Sequence, residues 1–308
     1  MTTINSAFDR LSGLTVDEML ANPTILPEIF RESFEGEEAH RLFFRTIPSA
    51  SNVVGYYDAQ ANFLEDDVQN VAEFGEIPVS DPTGGELQTL KLEKNGIGIR
   101  VSWEQRKDND VDAVRREMVA RQNTLRRKDG RDALAALSAA KVQTFAAATA
   151  WNQDGSNPAS DMLDAIELIQ GAEDSNGNYF EYEPNVLWIN PMTLTALKRN
   201  AEVQKLYIGD MAHENPLFTG IAAEPLLFGG LQVVKDFTVS KGEAYLGVEG
   251  ISGFMAQRED RQVTDFYAER GDSQLGGANM SFRSDAVHRR GFGVDNPKSV
   301  VKLTGLMS

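Results

Sequence analysis

The spacing of apolar residues predicts one long helix in the first half of the chain. Apolar residues follow a single helical face at Val111, Val114, Met118, Leu125, Leu134 and Leu137. Alanine, the strongest helix former, is dense from Ala133 to Ala148. The pattern predicts a helix of more than about 30 residues, either continuous or kinked at Gly130. A helix of about 35 residues would extend roughly 50 Å, which suits an elongated molecule.

The residues before this helix predict an arm followed by a long hairpin. Residues 1–47 contain one short helix, at 16–20, and an acidic stretch at 28–38. Residues 53–90 have two strand-like halves with turn residues at 80–85 between them. Loops of this length are uncommon inside a compact domain unless they are functional. We therefore expect a hairpin that projects from the body, followed by strands at 89–92 and 98–103.

The residues after the long helix predict a mixed block and a strand-rich tail. A break at 151–158 precedes an amphipathic helix at 159–173, a buried strand at 185–191 and a helix at 192–200. Further strands are indicated by the apolar runs at 231–234, 243–248, 280–283, 286–294 and 299–303. The fold class predicted from this order is α+β.

Composition limits the kinds of chemistry available to the chain. It has 308 residues, no cysteine and a formal net charge of −16. Disulfides, thiolate metal sites and cysteine nucleophiles are therefore excluded. No run of about 18 apolar residues and no signal-peptide pattern is present, so we expect assembly in a cytoplasm and no membrane partner. The negative charge also argues against a nucleic-acid-binding surface over the whole protein.

The charges are segregated along the chain. Residues 50–90 hold eight acids and neither lysine nor arginine, the acids being Asp58, Glu65, Asp66, Asp67, Glu73, Glu76, Asp81 and Glu86. Residues 113–131 hold seven cations and only two acids. The cations are Arg115, Arg116, Arg121, Arg126, Arg127, Lys128 and Arg131. Either run alone is typical of a solvated face. Together they favour a contact between copies in which the acidic hairpin of one lies over the basic helix of another.

No catalytic, cofactor or metal site is indicated. His40, His213 and His288 are far apart in sequence and have no metal-ligand spacing, so structural or solvated roles are favoured. The acidic triplet at residues 65–67 lacks the spacing of a calcium loop, and we expect an interface or a solvated loop there. Phosphate-binding, dinucleotide and hydrolase motifs do not occur. The class of enzymes therefore has no positive argument, although an enzyme with an unfamiliar site stays an alternative.

The order of elements resembles the major capsid protein family of tailed bacteriophages, which has the Hong Kong 97-type fold. Local sequence is also similar at residues 185–198 (NVLWINPMTLTALK), 282–294 (FRSDAVHRRGFGV) and 296–305 (NPKSVVKLTG). The resemblance implies an N-arm (1–47), an E-loop (48–92), a P-domain with a spine helix (93–150), an A-domain (151–262), P-domain strands (263–295) and a C-terminal strand returning to the A-domain (296–308).

The resemblance implies a shell protein that forms hexamers and pentamers of an icosahedral capsid around double-stranded DNA. Some members crosslink through an E-loop lysine, but residues 50–90 contain none, so that chemistry is not expected. The short arm leaves no room for a cleaved scaffolding segment, so a separate scaffolding protein is expected beside a portal, a decoration protein and weakly contacted DNA. The expected location is the virion, after assembly in the host bacterial cytoplasm. An encapsulin-like nanocompartment shell is the alternative.

Overall fold

The computed structural model describes residues 15–21, 38–82, 84–208, 231–270 and 275–308, with side chains at 19–21 and 205–208 left out. Its helices are α1 Val16–Ala21, α2 Ala39–Phe43, α3 Trp103–Lys107, α4 Val111–Ala139, α5 Pro158–Gln170, α6 Pro191–Arg199 and α7 Ala201–Ile208. Its strands are β1 Phe44–Pro48, β2 Val53–Tyr57, β3 Leu87–Lys91, β4 Glu93–Ser102, β5 Gln143–Ala146, β6 Val186–Ile189, β7 Gln232–Lys235, β8 Ala244–Gly247, β9 Gly253–Val263, β10 Tyr267–Ala268, β11 Ser281–Gly293 and β12 Val300–Thr304.

A first sheet is built around the long strand β11. Its neighbours are β9 on one side and β4 on the other, both antiparallel to it, while β1 runs parallel to β9 at the edge. The short β10 continues the β9 side. Helix α4 packs on one face of this sheet, where alternate residues of β11 are buried.

A second sheet has the strand order β5-β12-β8-β6-β7. All four residues of β6 and all four of β8 are buried, as continuous apolar strands with both faces covered should be. Helix α5 packs against this sheet with Met162, Ala165 and Ile169. The mixture of antiparallel and parallel strands with packed helices confirms the α+β class.

One apolar core joins the two sheets at the C-terminal half of α4. It comprises Phe43, Phe44, Ala133, Leu137, Val142, Val186, Trp188, Val239, Tyr245, Met255, Phe292, Val294 and Val300. Members come from both sheets, from α2 and from α4. The two halves of the molecule are therefore held by shared packing around the helix.

The predicted hairpin is present as a two-stranded sheet of β2 and β3, which pair from Val53↔Lys91 to Tyr57↔Leu87. We call these strands the stem and residues 58–86 between them the finger. The stem packs against Phe254 and Ala256 of β9 through Val54, Tyr56 and Leu90. The acidic arm residues 28–37 and Thr83 of the predicted turn lie outside the described residues.

The long helix is shorter than the pattern predicts. It begins at an Asp110 cap, whose side chain accepts a hydrogen bond from the Ala113 amide, and ends at Ala139 after 29 residues. That is about 43 Å at 1.5 Å per residue. The predicted length of more than about 30 residues is therefore wrong, and the alanine-dense stretch is not helical up to Ala148. Lys141 has a left-handed φ of 53°, and residues 143–146 pair with β12 as β5 because strand pairing outweighs the helical preference of alanine.

The sheets also show how the implied segments are arranged. Strand β5, from the segment 93–150, pairs with β12 in the second sheet, and β9, nearly all from 151–262, is in the first sheet. The segment boundaries themselves stay predictions. Helix α4 is continuous through Gly130, so one helix runs through this position.

Gly130 is explained by a close approach of the loop after β7. A Cβ at this position would lie 2.9 Å from Thr238 Oγ1 and 3.1 Å from its Cγ2. Alanine at an open helical site would stabilise by about 1 kcal/mol. Here overpacking costs about 1–3 kcal/mol, so we expect Gly130→Ala to lower the free energy of unfolding.

Urea unfolding of the unassembled chain measures this effect. The matched background is Thr238→Ala, which removes the two closest atoms and leaves Thr238 Cβ at 3.3 Å. There Gly130→Ala should be neutral or stabilising. An equal loss in both backgrounds would contradict the packing explanation.

Candidate subunit interface

The spine helix α4 and the hairpin lie on opposite faces of the first sheet. On one face, Arg121 Nη1 of α4 donates to Ser284 Oγ at 3.0 Å, and Arg290 Nη1 lies 3.3 Å from Asp129 Oδ2. Even-numbered residues of this part of β11 therefore face the helix. The molecule has a helix face and a hairpin face.

The hairpin face is identified by Gly291. A Cβ on this residue would lie 3.0 Å from Leu92 Cδ2 and 3.5 Å from Leu90 Cδ1 of the stem end. Odd-numbered residues of β11 thus point toward the hairpin. The glycine lets the stem approach the sheet closely.

The finger is held at its base and exposed beyond it. Leu64 pairs with Pro82, the Glu65 amide donates to Asp81 O at 3.1 Å, and the Asp66 amide donates to Ser80 Oγ at 3.0 Å. Residues 62–79 are all exposed. The predicted projection is therefore present as an extended, solvent-facing segment.

The predicted acidic residues are carried by this finger. Glu65, Asp66, Asp67, Glu73, Glu76, Asp81 and Glu86 are exposed, and Asp58 is half-buried at the stem. None of these carboxylates has an ion-pair partner in the described part of the chain. Their charge is available to a second molecule.

Sequence analysis missed the apolar side chains of the finger. Phe74 is 100% exposed, Val68 96% and Val79 91%, and Phe63, Leu64, Val71 and Ile77 are also exposed. Single exposed apolar residues are ordinary, but a contiguous set marks a protein contact. The signal available in sequence was a strand-like stretch without apolar alternation, which fits a segment with no core of its own.

The predicted basic residues of α4 separate into two groups. Arg116, Arg127 and Arg131 are exposed and lie at spacings of eleven and four residues on one side of the helix, which we call the spine face. Arg115 is half-buried.

The other cations are engaged within the subunit. Lys128 Nζ lies 2.5 Å from Asp132 Oδ1, and Arg126 is half-buried. Arg121 is buried and bonded to Ser284, and burial lowers its pKa to about 10. The guanidinium of Arg121 therefore lies inside the fold, where it donates a hydrogen bond to β11.

A buried charge cluster lies between the spine helix, the first sheet and the start of α2. Its members are Glu38, His40, Asp129, Arg261, His288 and Arg290. Arg261 Nη2 lies 2.7 Å from Glu38 Oε1 and also contacts Asp129. One guanidinium thus bridges carboxylates from two elements that are 91 residues apart.

The cluster keeps its carboxylates ionised. Burial pulls the pKa of Asp129 upward, but the close approach of His288 and the charges of Arg290 and Arg261 outweigh it, so the pKa lies well below its ordinary value. Burial also raises the pKa of Glu38, but Arg261, His40 and Arg41 outweigh this effect and lower the pKa overall. Both groups stabilise the fold above the unfolded pKa, and this stability is lost as the pH falls through the folded pKa.

Two histidines for which the sequence analysis favoured structural or solvated roles belong to this cluster. His288 Nε2 lies 3.3 Å from Asp129 Oδ1, and His40 Nε2 lies 3.5 Å from Glu38 Oε2. Both are buried, which excludes the solvated alternative. His213 lies outside the described residues.

Asp129→Asn should be strongly destabilising. It leaves Arg261 and Arg290 buried with less compensating charge, and breaking a buried pair typically costs about 3–5 kcal/mol. Urea unfolding of the unassembled chain at pH 7 measures the loss. Asp132→Asn, in the neighbouring and partly exposed pair with Lys128, is the matched control and should cost at most about 1 kcal/mol. Equal effects would contradict a structural role for the cluster.

His40 should make stability fall in mild acid. Burial lowers its pKa from 6.5 to about 4, partly offset by Glu38 and Asp129. Between these two pH values the unfolded chain takes up a proton that the folded chain does not, so the free energy of unfolding falls as pH falls. His40→Gln should flatten this dependence between pH 6.5 and 4, measured by urea unfolding. An unchanged slope would show that the imidazole does not titrate in this way.

A cleft of about 600 Å³ lies beside the second sheet, lined in part by Met192, Arg199 and Lys241. Its buried polar groups bond to one another, since Asn200 Nδ2 donates to Trp151 O at 3.1 Å and to Ser156 Oγ at 2.7 Å. The Asn200 side chain thus stabilises the backbone conformation of residues 151–156. Among the described residues, no cluster of His, Asp or Glu could hold a metal, and no helix is long and apolar enough to cross a membrane.

Comparison with known proteins gives one family and several similar folds. A model of the phage capsid protein family matches residues 86–303. No curated protein matches the chain. A structure from Microbacterium phage Oxtober96 is similar with a TM-score of 0.58 at 15% identity, covering 99% of each chain. The capsid of cyanophage P-SCSP1u has a TM-score of 0.58 at 14% identity, covering 86% of each chain. A virus-like particle from Pyrococcus furiosus has a TM-score of 0.54 at 14% identity, covering 89% of this chain and 94% of that one.

Proposed function

This chain belongs to the phage capsid protein family and is a major capsid shell protein with the Hong Kong 97-type fold, and we propose that its finger joins neighbouring copies in the shell. The observation that carries the proposal is the exposed finger. Its large apolar side chains are exposed, and its carboxylates form no ion pair within the described part of the subunit. Covering them in an assembly removes apolar surface from water at about 25 cal/mol per Å².

The contact is heterologous, because the finger of one copy must bind a different surface on the next. Such contacts close into rings when the rotation per copy allows it, and hexamers and pentamers are two closures of nearly the same contact. Obligate interfaces of this kind bury about 2,000–5,000 Å². A protruding finger lets a copy reach beyond its own body to gain that area.

The receiving surface predicted from sequence is the basic helix of another copy, and the spine face is its exposed part. With Arg121 inside the fold and Arg126 half-buried, the exposed cations there are Arg116, Arg127 and Arg131. Each exposed ion pair contributes about 0–1 kcal/mol, so the charges set register and partner choice more than affinity.

Charge reversal tests this pairing. Arg116→Glu, Arg127→Glu and Arg131→Glu together should block shell formation at ordinary salt and leave the unassembled chain folded, because all three side chains are exposed. Electron microscopy measures shells, and circular dichroism with urea unfolding measures the fold. Lys107→Glu, Arg199→Glu and Lys241→Glu, also exposed, form the matched control and should assemble. Normal assembly of the spine-face variant would rule this pairing out.

The remaining partners are proposals from the family resemblance. They are a separate scaffolding protein, a portal, a decoration protein and double-stranded DNA that the acidic subunit contacts weakly. We also propose an icosahedral shell, assembly in the host cytoplasm and no enzymatic activity. Expression of the chain with and without its neighbouring genes, followed by electron microscopy, tests shell formation. Uniform particles support the proposal, and a lone globular protein under all conditions would overturn it.

An encapsulin-like shell is the second arrangement considered from sequence. The matched family model is one of phage capsids, which favours the phage shell. A terminase gene and a portal gene beside this gene would support the phage shell, whereas a cargo enzyme gene would support the compartment.

A further inference from the structure

The finger leaves the body through a short segment that is hydrogen-bonded to the subunit. We call residues 58–61 the root. The Ala59 amide donates to Asp295 O at 2.7 Å, and Ala61 is buried. Beyond the root, residues 62–79 are all exposed. The direction in which the finger leaves the subunit is therefore set by the contacts of the root and of the stem end next to it.

The stem end is held by an aromatic contact. Tyr56 is the last residue of β2 that faces the sheet, because Tyr57 points the other way and is 64% exposed. The Tyr56 ring meets Phe254 of β9 edge to face, with centroids 5.1 Å apart and an interplanar angle of 78°. This T-shaped arrangement is a preferred geometry for aromatic pairs. Phe254 is therefore the body residue against which the stem end packs.

Arg45 of β1 connects Phe254 with the root. Arg45 lies opposite Phe254 in the register of β1 and β9, and its guanidinium carbon is 5.9 Å from the Phe254 ring centroid. The same guanidinium pairs with the Asp295 carboxylate through both of its terminal nitrogens. Because Asp295 O accepts the Ala59 amide, the ion pair and the root share one residue. A closed ring of contacts around the stem end is thus formed by Arg45, Phe254, Tyr56, Ala59 and Asp295.

The root is also tied to the second sheet. Asp295 and Asn296 belong to the connection between β11 and β12, which are strands of different sheets. Asn296 Nδ2 donates to Tyr182 Oη, and Tyr182 packs against the core of the second sheet. In the loop after α5, Ser175 Oγ donates to Gln60 Oε1 of the root at 3.4 Å. The root therefore has contacts that hold it relative to both sheets.

A small rotation at the root moves the finger tip far. Residues 62–79 go out and return, so they can reach about 30 Å from the root at 3.3 Å per residue. A rotation of about 10° would then displace the tip by roughly 5 Å. Interfaces packed as closely as protein interiors tolerate much smaller displacements. The finger can join copies without a further ordering cost only if its root holds one direction.

We propose that Arg45 is a positioning residue, which fixes the direction of the finger in the free subunit through its pair with Asp295 and its contact with Phe254. The pair is poorly placed to stabilise the fold, because the Arg45 side chain is 44% exposed and exposed ion pairs contribute little. Its place beside the root gives it a different effect. A finger held in one direction loses less conformational entropy when it binds. The consequence for assembly rests on the proposed function, whereas the effect on direction does not.

Distances between spin labels in the unassembled chain measure the direction of the finger. The chain has no cysteine, so labels can be attached at Asn70→Cys in the finger and Glu167→Cys on α5, both exposed positions. Arg45→Met removes the charge and keeps an apolar side chain. It should broaden the distance distribution about twofold or more, because the root can then rotate and the length of the finger amplifies the rotation.

A double-substitution cycle tests whether Arg45 acts through its partner. Asp295→Asn leaves the carbonyl oxygen in place and removes only the charge, and it should broaden the distribution as much as Arg45→Met does. The two substitutions together should add nothing further, because partners in one interaction are not additive. Lys302→Met is the matched control, since Lys302 Nζ lies 2.8 Å from Glu243 Oε1 on the second sheet. It should leave the distribution unchanged.

A second label pair separates the direction of the finger from the order of the body. Labels at Asp112→Cys on α4 and Glu167→Cys on α5 should give the same distribution with and without Arg45→Met. Equal finger distributions in the parent chain and in Arg45→Met would overturn the inference. Broadening of the body pair would overturn it too, and so would a double substitution whose effect is the sum of its two parts.

Shell assembly gives an independent measurement, read by electron microscopy. Arg45→Met should lower the yield of uniform particles about tenfold, because each copy must then order its finger on joining. Lys302→Met should assemble like the parent chain. Normal assembly of Arg45→Met with a broadened finger distribution would contradict the need for a fixed direction. Failure of the parent chain to form particles would contradict the proposed function, and the label distances would still decide the role of Arg45.

Discussion

The bridging of Glu38 and Asp129 by Arg261 is the interaction on which the shape of the subunit depends. Arg261 of β9 contacts Glu38 at the start of α2 and Asp129 of the spine helix. Arg290 and His288 of β11 also contact the Asp129 carboxylate. Apolar packing alone would allow the helix to slide along the sheet, since it is not directional. Ion pairs between buried charges need close contact in a restricted geometry, so the cluster favours one position of α4 on the sheet.

A fixed helix gives the sheet two different faces. One is covered by α4 and the shared core, and the other carries the hairpin. The stem packs through Val54, Tyr56 and Leu90, whereas residues 62–79 of the finger are all exposed. Its exposed apolar and acidic side chains can therefore be stabilised only by another molecule.

The sequence predicted most elements because their signals are local. The α4 stripe, the apolar run of β6 and the turn residues of the hairpin each depend on neighbouring residues. Strand β5 was missed because it lies within an alanine-rich stretch, which favours a helix, and its pairing partner β12 lies 158 positions later in the chain. Arg121 was assigned to a surface for the same reason: a charge run does not show which side of a helix faces Ser284. The charge cluster joins residues from 38 to 290, and no spacing rule brings these together.

The overall charge of −16 makes assembly depend on where the few cations lie. Copies of such a chain carry the same charge and repel one another, but at physiological ionic strength this repulsion is largely screened beyond about 8 Å. Contact therefore needs local complementarity that acts at short distance, which apolar burial supplies and paired charges direct. A finger with apolar and charged side chains, facing a surface with apolar and oppositely charged side chains, allows specific association. It does so without making the isolated subunit prone to non-specific association. Neutral apolar surfaces of the same area would bind equally well to the wrong part of a neighbour, so the charges on the finger select the partner while its apolar residues provide most of the free energy.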